Sequence, residues 1–99
     1  MQYRLEFDSE ALAEWNNLDK GVREALKKKL AKRLMNPRVP AARLSADLSD
    51  CYKVKNDKTG HRLVYVVFDE LVLVLVLAVG KRESLAVYLS AMLRVKKLR

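Results

Sequence analysis

The chain has 99 residues, half of them hydrophobic and a third charged. That is enough for one core, too little for two, and too apolar for a disordered chain. Lys and Arg outnumber Asp and Glu by 20 to 12, a net charge of +8, so polyanions are the expected partners. Nucleic acid is favoured over a membrane surface, because the lysines do not share one long helix with a bulky aromatic face.

A single cysteine, Cys51, cannot form an internal disulfide and suits a reducing cytoplasm. The opening "MQYRLEF" lacks the basic-then-apolar layout of a signal peptide. The run "LVLVLVLAV" at 71–79 is too short to cross a bilayer and reads as a buried strand.

Taken in order, "QYRLEF" alternates, with Tyr3, Leu5 and Phe7 on one face of a first strand. Asp8 and Ser9 offer capping oxygens to a short helix carrying Leu12, Trp15 and Leu18. Asp19 reads as the next N-cap. It opens a longer helix with Val22, Leu26, Leu30 and Leu34 as the apolar stripe and Arg23, Lys27, Lys28, Lys32 and Arg33 outside. "NPRVP" ends it, because Pro37 cannot continue a helix and pushes Asn36 toward extended geometry. After the irregular "AARLSADLSD", the stretch "CYKVKNDKTGHRLVYVV" reads as a hairpin. "DE" at 69 and 70 turns the chain into the buried strand, and "KRESLAVYLSAMLRVKKLR" reads as a helix ending in cations. The expected order is β-α-α-β-β-β-α over 1–99. This is one α+β domain, an antiparallel sheet with an N-terminal helical hairpin on one side and a C-terminal helix.

The hairpin register decides what the cations can do. Pairing Lys55 with Arg62 puts Lys53, Lys55 and Arg62 on one face and Tyr52, Val54, Leu63 and Tyr65 on the other. A one-residue slip would push Arg62 into the apolar lining. The first register keeps charge out of the core and gives one side of the sheet a basic floor.

"DCYKVK", "GHRLVYVV", an acidic turn, an apolar strand, "VGKRE" and "VY" together resemble the RelE group of the RelE/ParE toxin superfamily. The likeness also takes in "FDSEALAEWNNLDKGVREALKKKLAKRLMNPRVPAARL" before the hairpin. It implies a ribosome-dependent endoribonuclease that cuts messenger RNA in the ribosomal A site and is silenced by a co-expressed antitoxin. Implied partners are a RelB-like antitoxin, the 70S ribosome with its 16S rRNA, and messenger RNA. Operator DNA would be met only through the antitoxin complex. No cofactor, metal or membrane is implied.

Such a cleavage uses the 2′-hydroxyl as nucleophile. It needs a proton acceptor, cations for the phosphorane and a donor for the departing 5′-oxygen. A lysine begins with a pKa of about 10.4, and neighbouring cations or burial lower such a value. A crowd of cations can therefore create a base and stabilise the transition state together. By resemblance, Lys53 and Lys55 match the two catalytic lysines, one as base and one as clamp, in either order. Arg62 matches the arginine on the scissile phosphate, Arg82 the arginine at the leaving group, and Tyr88 the tyrosine that stacks on the nucleotide. Tyr88 equally fits core packing beside Leu85 and Leu89. His61 faces away from the lysines and reads as structural, Cys51 as a small buried filler and Trp15 as core.

Arg23, Lys27, Lys28 and Lys32 are candidates for ribosomal RNA contact, and Leu85, Leu89 and Met92 for the antitoxin. Two other classes stay open: a ParE-type gyrase inhibitor on the same fold, and a basic nucleic-acid-binding module without catalysis. The "RLSADLSDCYKV" segment lacks the glycine expected before the hairpin.

Overall fold

The computed structural model describes residues 2–98. Strand β1 (Arg4–Phe7) turns Tyr3, Leu5 and Phe7 toward the helices and leaves Arg4 and Glu6 in solvent. The Asp8 carboxylate accepts from the N–H groups of Glu10 and Ala11, at 3.0 and 3.2 Å, and so starts helix α1 (Ser9–Asn16). In α1 the deeply buried residue is Ala11. Leu12 faces outward, while Trp15 is half-buried with its ring tilted 5.3 Å from that of Phe7. Helix α2 (Lys20–Met35) buries the expected stripe of Val22, Leu26, Leu30 and Leu34. Asp19 holds its N-cap position without a side-chain bond, and Asn36 leaves the helix before Pro37. The segment that follows makes single 3-10 turns at Pro40–Ala42 and Ala46–Leu48.

Strands β2 (Cys51–Asn56), β3 (His61–Phe68) and β4 (Leu73–Lys81) form a meander, and the four strands lie in the order β1-β4-β3-β2. The β2–β3 and β3–β4 pairs are antiparallel, whereas β1 runs parallel to β4. A parallel neighbour needs a long crossover, and the helical hairpin together with the first two meander strands supplies it. Lys55 faces Arg62 and Tyr52 faces Tyr65, the register that keeps charge out of the core. The β3–β4 ladder shifts register between Val64 and Tyr65, a bulge-like irregularity of the kind that strengthens local twist.

Both faces of the sheet carry a core. Tyr52, Val54, Leu63, Tyr65, Val74 and Val76 pack under α1 and α2. On the other face Cys51, Val64, Val66, Leu77 and Ala78 meet Val87, Ala91 and Val95 of helix α3 (Ala86–Lys96). The expectation of a basic floor across this second face is thereby corrected. α3 covers it over β3 and β4, and the cations hold only the end near the β2–β3 turn.

Arg94 fastens α3 in place. Its buried guanidinium donates to both carboxylate oxygens of Glu14 (2.9 and 3.1 Å), to Glu10 (3.1 Å) and to the Leu77 carbonyl (2.8 Å). Glu14 also accepts the Val79 N–H at 3.0 Å, so α1, β4 and α3 share one ionic knot. A second knot closes the opposite end. Arg38 joins Asp69, Asp50 and the Tyr52 hydroxyl, and the Tyr3 hydroxyl donates to Asp69 at 2.8 Å.

Candidate active site

The site begins with three side chains that the hairpin register brings to one face. Lys53 is half-buried and Lys55 exposed on β2, and Arg62 stands opposite Lys55 on β3. Arg62 is only 6% exposed. Its guanidinium donates to the His61 carbonyl at 3.0 Å and to the Asp57 carboxylate at 3.3 Å. The same row continues to Gly80 on β4. A side chain there would point at Val87, whose Cβ lies 3.6 Å from where a Gly80 Cβ would sit. That is an ordinary packing distance, so the start of α3 lies against this row beside Arg62 without requiring glycine at position 80.

Arg82 enters from the 3-10 turn Arg82–Ser84 that follows β4. Its backbone N–H donates to the Gly60 carbonyl at 2.9 Å, which docks this turn against the tip of the hairpin. Gly60 has φ +77°, and a Cβ at that position would lie 3.3 Å from a Glu83 carboxylate oxygen. Positive φ is costly for residues with a Cβ, so this contact depends on glycine. Tyr88 sits in the first turn of α3, half-buried against the second core. The result is a cationic end of the sheet with Arg82 exposed, the Asp57 carboxylate paired to Arg62 and the Glu83 carboxylate beside Gly60. Such an arrangement can hold a phosphate between strands and turn, because charge-assisted N–H bonds to an anion are the strong ones.

The described residues match the ParE toxin family of type II toxin–antitoxin systems, parDE, over positions 5–86. The chain belongs to this family. It is 50% identical over 95 residues to the mRNA interferase toxin RelE of Escherichia coli (strain K12), covering 96% of this chain and 99% of that protein. The mRNA interferase RelE of Shigella flexneri matches with the same identity and coverage. Among solved structures, a doubly substituted E. coli RelE in the free state has a TM-score of 0.89 at 49% identity, covering 96% of this chain and 99% of that one. The toxin of the intact E. coli RelBE toxin–antitoxin complex gives 0.77 at 52% identity, covering 80% and 95%. This ParE-family chain is therefore a close homologue of RelE, and the RelE resemblance drawn from the sequence holds.

Other residues singled out in the sequence fall elsewhere. His61 lies on the opposite face from Lys55, its Nδ1 paired with Thr59 Oγ1 at 2.8 Å. Burial first, and then the charge of Lys81, hold its pKa below the usual histidine value. The cations of α2 do not form one patch. Arg23 bonds the Leu18 carbonyl at 3.1 Å and, with Lys27, borders an apolar groove of about 310 Å³ over Leu5, Phe7 and Trp15. Lys28 is exposed, and Lys32 borders a different, cationic groove. Arg33, read as outward-facing, turns inward to the Lys53 carbonyl (3.0 Å) and the Tyr65 hydroxyl (3.1 Å), with its guanidinium carbon 5.9 Å from the Tyr65 ring centre. On α3, Leu85 and Leu89 are exposed together with Leu93, whereas Met92 leans on the second core.

The sequence reasoning missed Arg33, Asp57 and Arg94. Only Asp57 left a signal, as an acidic residue in the turn of a basic hairpin. Among the described residues, no group of three or more His, Cys, Asp or Glu side chains is placed to hold a metal ion, and no helix is long and apolar enough to cross a membrane.

Proposed function

We propose that this protein is a ribosome-dependent endoribonuclease toxin, cutting messenger RNA in the A site and so stopping translation in the cytoplasm. The observation that carries the reading is the row of Lys55 and Arg62 with Arg82 pinned beside it through Gly60. The 50% identity to mRNA interferases over nearly the full chain supports it.

The scissile phosphate displaces Asp57 from Arg62, one anion replacing another. A lysine of the Lys53–Lys55 pair takes the 2′-hydroxyl proton as the 2′-oxygen attacks phosphorus. The other lysine and Arg62 hold the charge that builds on the phosphorane oxygens. The bond from phosphorus to the 5′-oxygen then breaks. Arg82 stabilises that oxygen, which takes its proton from water while the lysine returns to water the proton it took, leaving a 2′,3′-cyclic phosphate and a free 5′-hydroxyl. Tyr88, at the start of α3, orients the nucleotide by stacking. None of these steps calls on a metal or cofactor.

A RelB-like antitoxin is the partner, by the complex its E. coli relative forms. Leu85, Leu89 and Met92 offer its apolar contacts, and it should bring acidic residues to a chain of this charge. Operator DNA is met through that complex. Arg23, Lys27, Lys28 and Lys32 contribute to the hold on ribosomal RNA.

The alternative of a gyrase inhibitor shares the family name but gives the Lys53, Lys55, Arg62, Arg82 and Tyr88 set no task. Fold alone does not decide such a question; the cationic set supports the nuclease. The test is induction in bacteria followed by mapping of messenger 5′ ends. Translation-dependent breaks inside codons are expected with the native chain and none with Arg82→Ala. Intact messengers with stalled gyrase would transfer the protein to the other class.

A further inference from the structure

β2 is the outer strand of the sheet, and its free edge is already occupied. The outward carbonyls of Cys51, Lys53 and Lys55 accept, in turn, from the Leu44 N–H (3.0 Å), the Arg33 guanidinium (3.0 Å) and the Lys29 ammonium. Lys29 and Arg33 stand four residues apart on α2, a rise of about 6 Å. Two residues of strand advance about 6.8 Å. One turn of helix therefore keeps step with the Lys53–Lys55 spacing.

Between helix and strand runs a groove of about 360 Å³, walled by Lys29, Lys32 and Arg33 on one side and Lys53 and Lys55 on the other. Val39, Ala41 and Ala42 also line it, and Asp57 is the one carboxylate on its lining. Among the described residues, the ammonium groups of Lys32, Lys53 and Lys55 make no hydrogen bond or ion pair.

We propose that this groove is a second phosphate site. It takes the backbone of an RNA strand that passes over the β2 edge, from the Lys53–Lys55 face onto α2. The proposal rests on the RNA-cleaving reading above and deepens it by giving the strand a path away from the reacting phosphate. An acidic polypeptide is the competing occupant for such a groove. An extended peptide gains its affinity by adding a strand to a free sheet edge, and here the edge carbonyls are already bonded. A phosphate backbone asks only for unengaged cations.

The test uses the full-length protein and a 2′-O-methyl RNA oligonucleotide, which lacks the attacking hydroxyl and is not cut. Affinity is followed by anisotropy across a salt series. Lys32→Gln is expected to reduce the slope of log affinity against log salt by about 0.7, one phosphate contact on a single strand, with the thermal midpoint unmoved. Lys20→Gln, twelve residues and about 18 Å away along the same helix, is expected to leave the slope as it was.

An unchanged slope in Lys32→Gln, or equal losses in the two variants, would overturn the proposal. So would a Lys32→Gln protein that keeps its RNA slope but loses binding to polyglutamate, which would give the groove to an acidic protein. Because the probe is not cleaved, this result is separate from the parent reading. A protein that holds the probe through Lys32 and still leaves ribosome-bound messenger intact keeps the groove and loses the nuclease.

Discussion

Arg62 is buried by its strand neighbours yet paired to a carboxylate that is itself 73% exposed. The arginine is thus fixed in place while its anion is free to leave, the state wanted in a residue awaiting a phosphate. The pair is screened by solvent on its Asp57 side, which holds its worth to about 1 kcal/mol, and Arg62 keeps its bond to the His61 carbonyl when Asp57 is lost. Asp57→Asn should therefore tighten binding of uncleavable RNA by up to about fivefold, with little change in the unfolding midpoint. Weaker binding would mean that Asp57 assists the substrate instead of competing with it.

A second prediction belongs to the knot at the other end of the molecule. The Arg38 guanidinium, with help from the Tyr3 hydroxyl, holds the Asp69 carboxyl below the usual aspartate range. The unfolded chain then binds the proton more readily, so this contribution is complete above the ordinary carboxylate value. It disappears as pH falls through the lower native one. Tyr3 moves the other way, its pKa raised chiefly by its hydrogen bond to Asp69. Its contribution is complete below about 10 and fades as pH climbs through the raised native value. Denaturant titrations at a series of pH values should show both losses. Asp69→Asn should flatten the acid limb, and Tyr3→Phe the alkaline one.

Among the elements, α3 is the one whose attachment rests on a few groups. Val87, Ala91 and Val95 bury its inner face, and the outer face shows Leu85, Leu89 and Leu93 to solvent. Arg94 supplies the polar fastening. Arg94 is buried, but Asp8, Glu10 and Glu14 are 28%, 63% and 33% exposed and regain water without it, so the loss is that of charge-assisted hydrogen bonds, about 1.5–3 kcal/mol. Arg94→Ala should therefore cost about 2 kcal/mol in urea unfolding, with hydrogen-exchange protection lost over residues 86–96 before the strands are touched. Uniform loss across sheet and helix would show that α3 has no separate stability.

The elements were largely legible because their signals are periodic. The stripe of α2 and the alternation of the hairpin admit few other readings, and the register followed from keeping Arg62 out of the lining. The partner of β1 was not legible, since alternation tells which face a strand buries and says nothing of its neighbour. Arg33 and Arg94 were hidden for another reason. A long cation inside an amphipathic helix looks the same whether it reaches water or a buried carbonyl. The segment before β2 lacks glycine, yet it turns through left-handed backbone at Ala46 and Asp50. Asp50 is a residue that tolerates such geometry; Ala46 has no such excuse in the sequence.

For the whole molecule, net charge and topology act together. A +8 chain is drawn to any polyanion, but charge alone does not make a cutting site. The meander brings Lys53, Lys55 and Arg62 to the hairpin end of the sheet, and Gly60 ties Arg82 to the same end. Of the α2 cations, Lys29, Lys32 and Arg33 share a groove with Lys53 and Lys55, whereas Arg23 and Lys27 border a separate one. The measurement that tests this most directly is single-turnover cleavage of messenger on purified ribosomes by the native chain and by Lys55→Met. Lys55 is exposed, and its ammonium holds no partner among the described residues, so the substitution leaves the fold intact. A rate lower by about 10²–10³, the usual loss for one transition-state donor, is predicted at an unchanged unfolding midpoint. An equal rate would contradict the account.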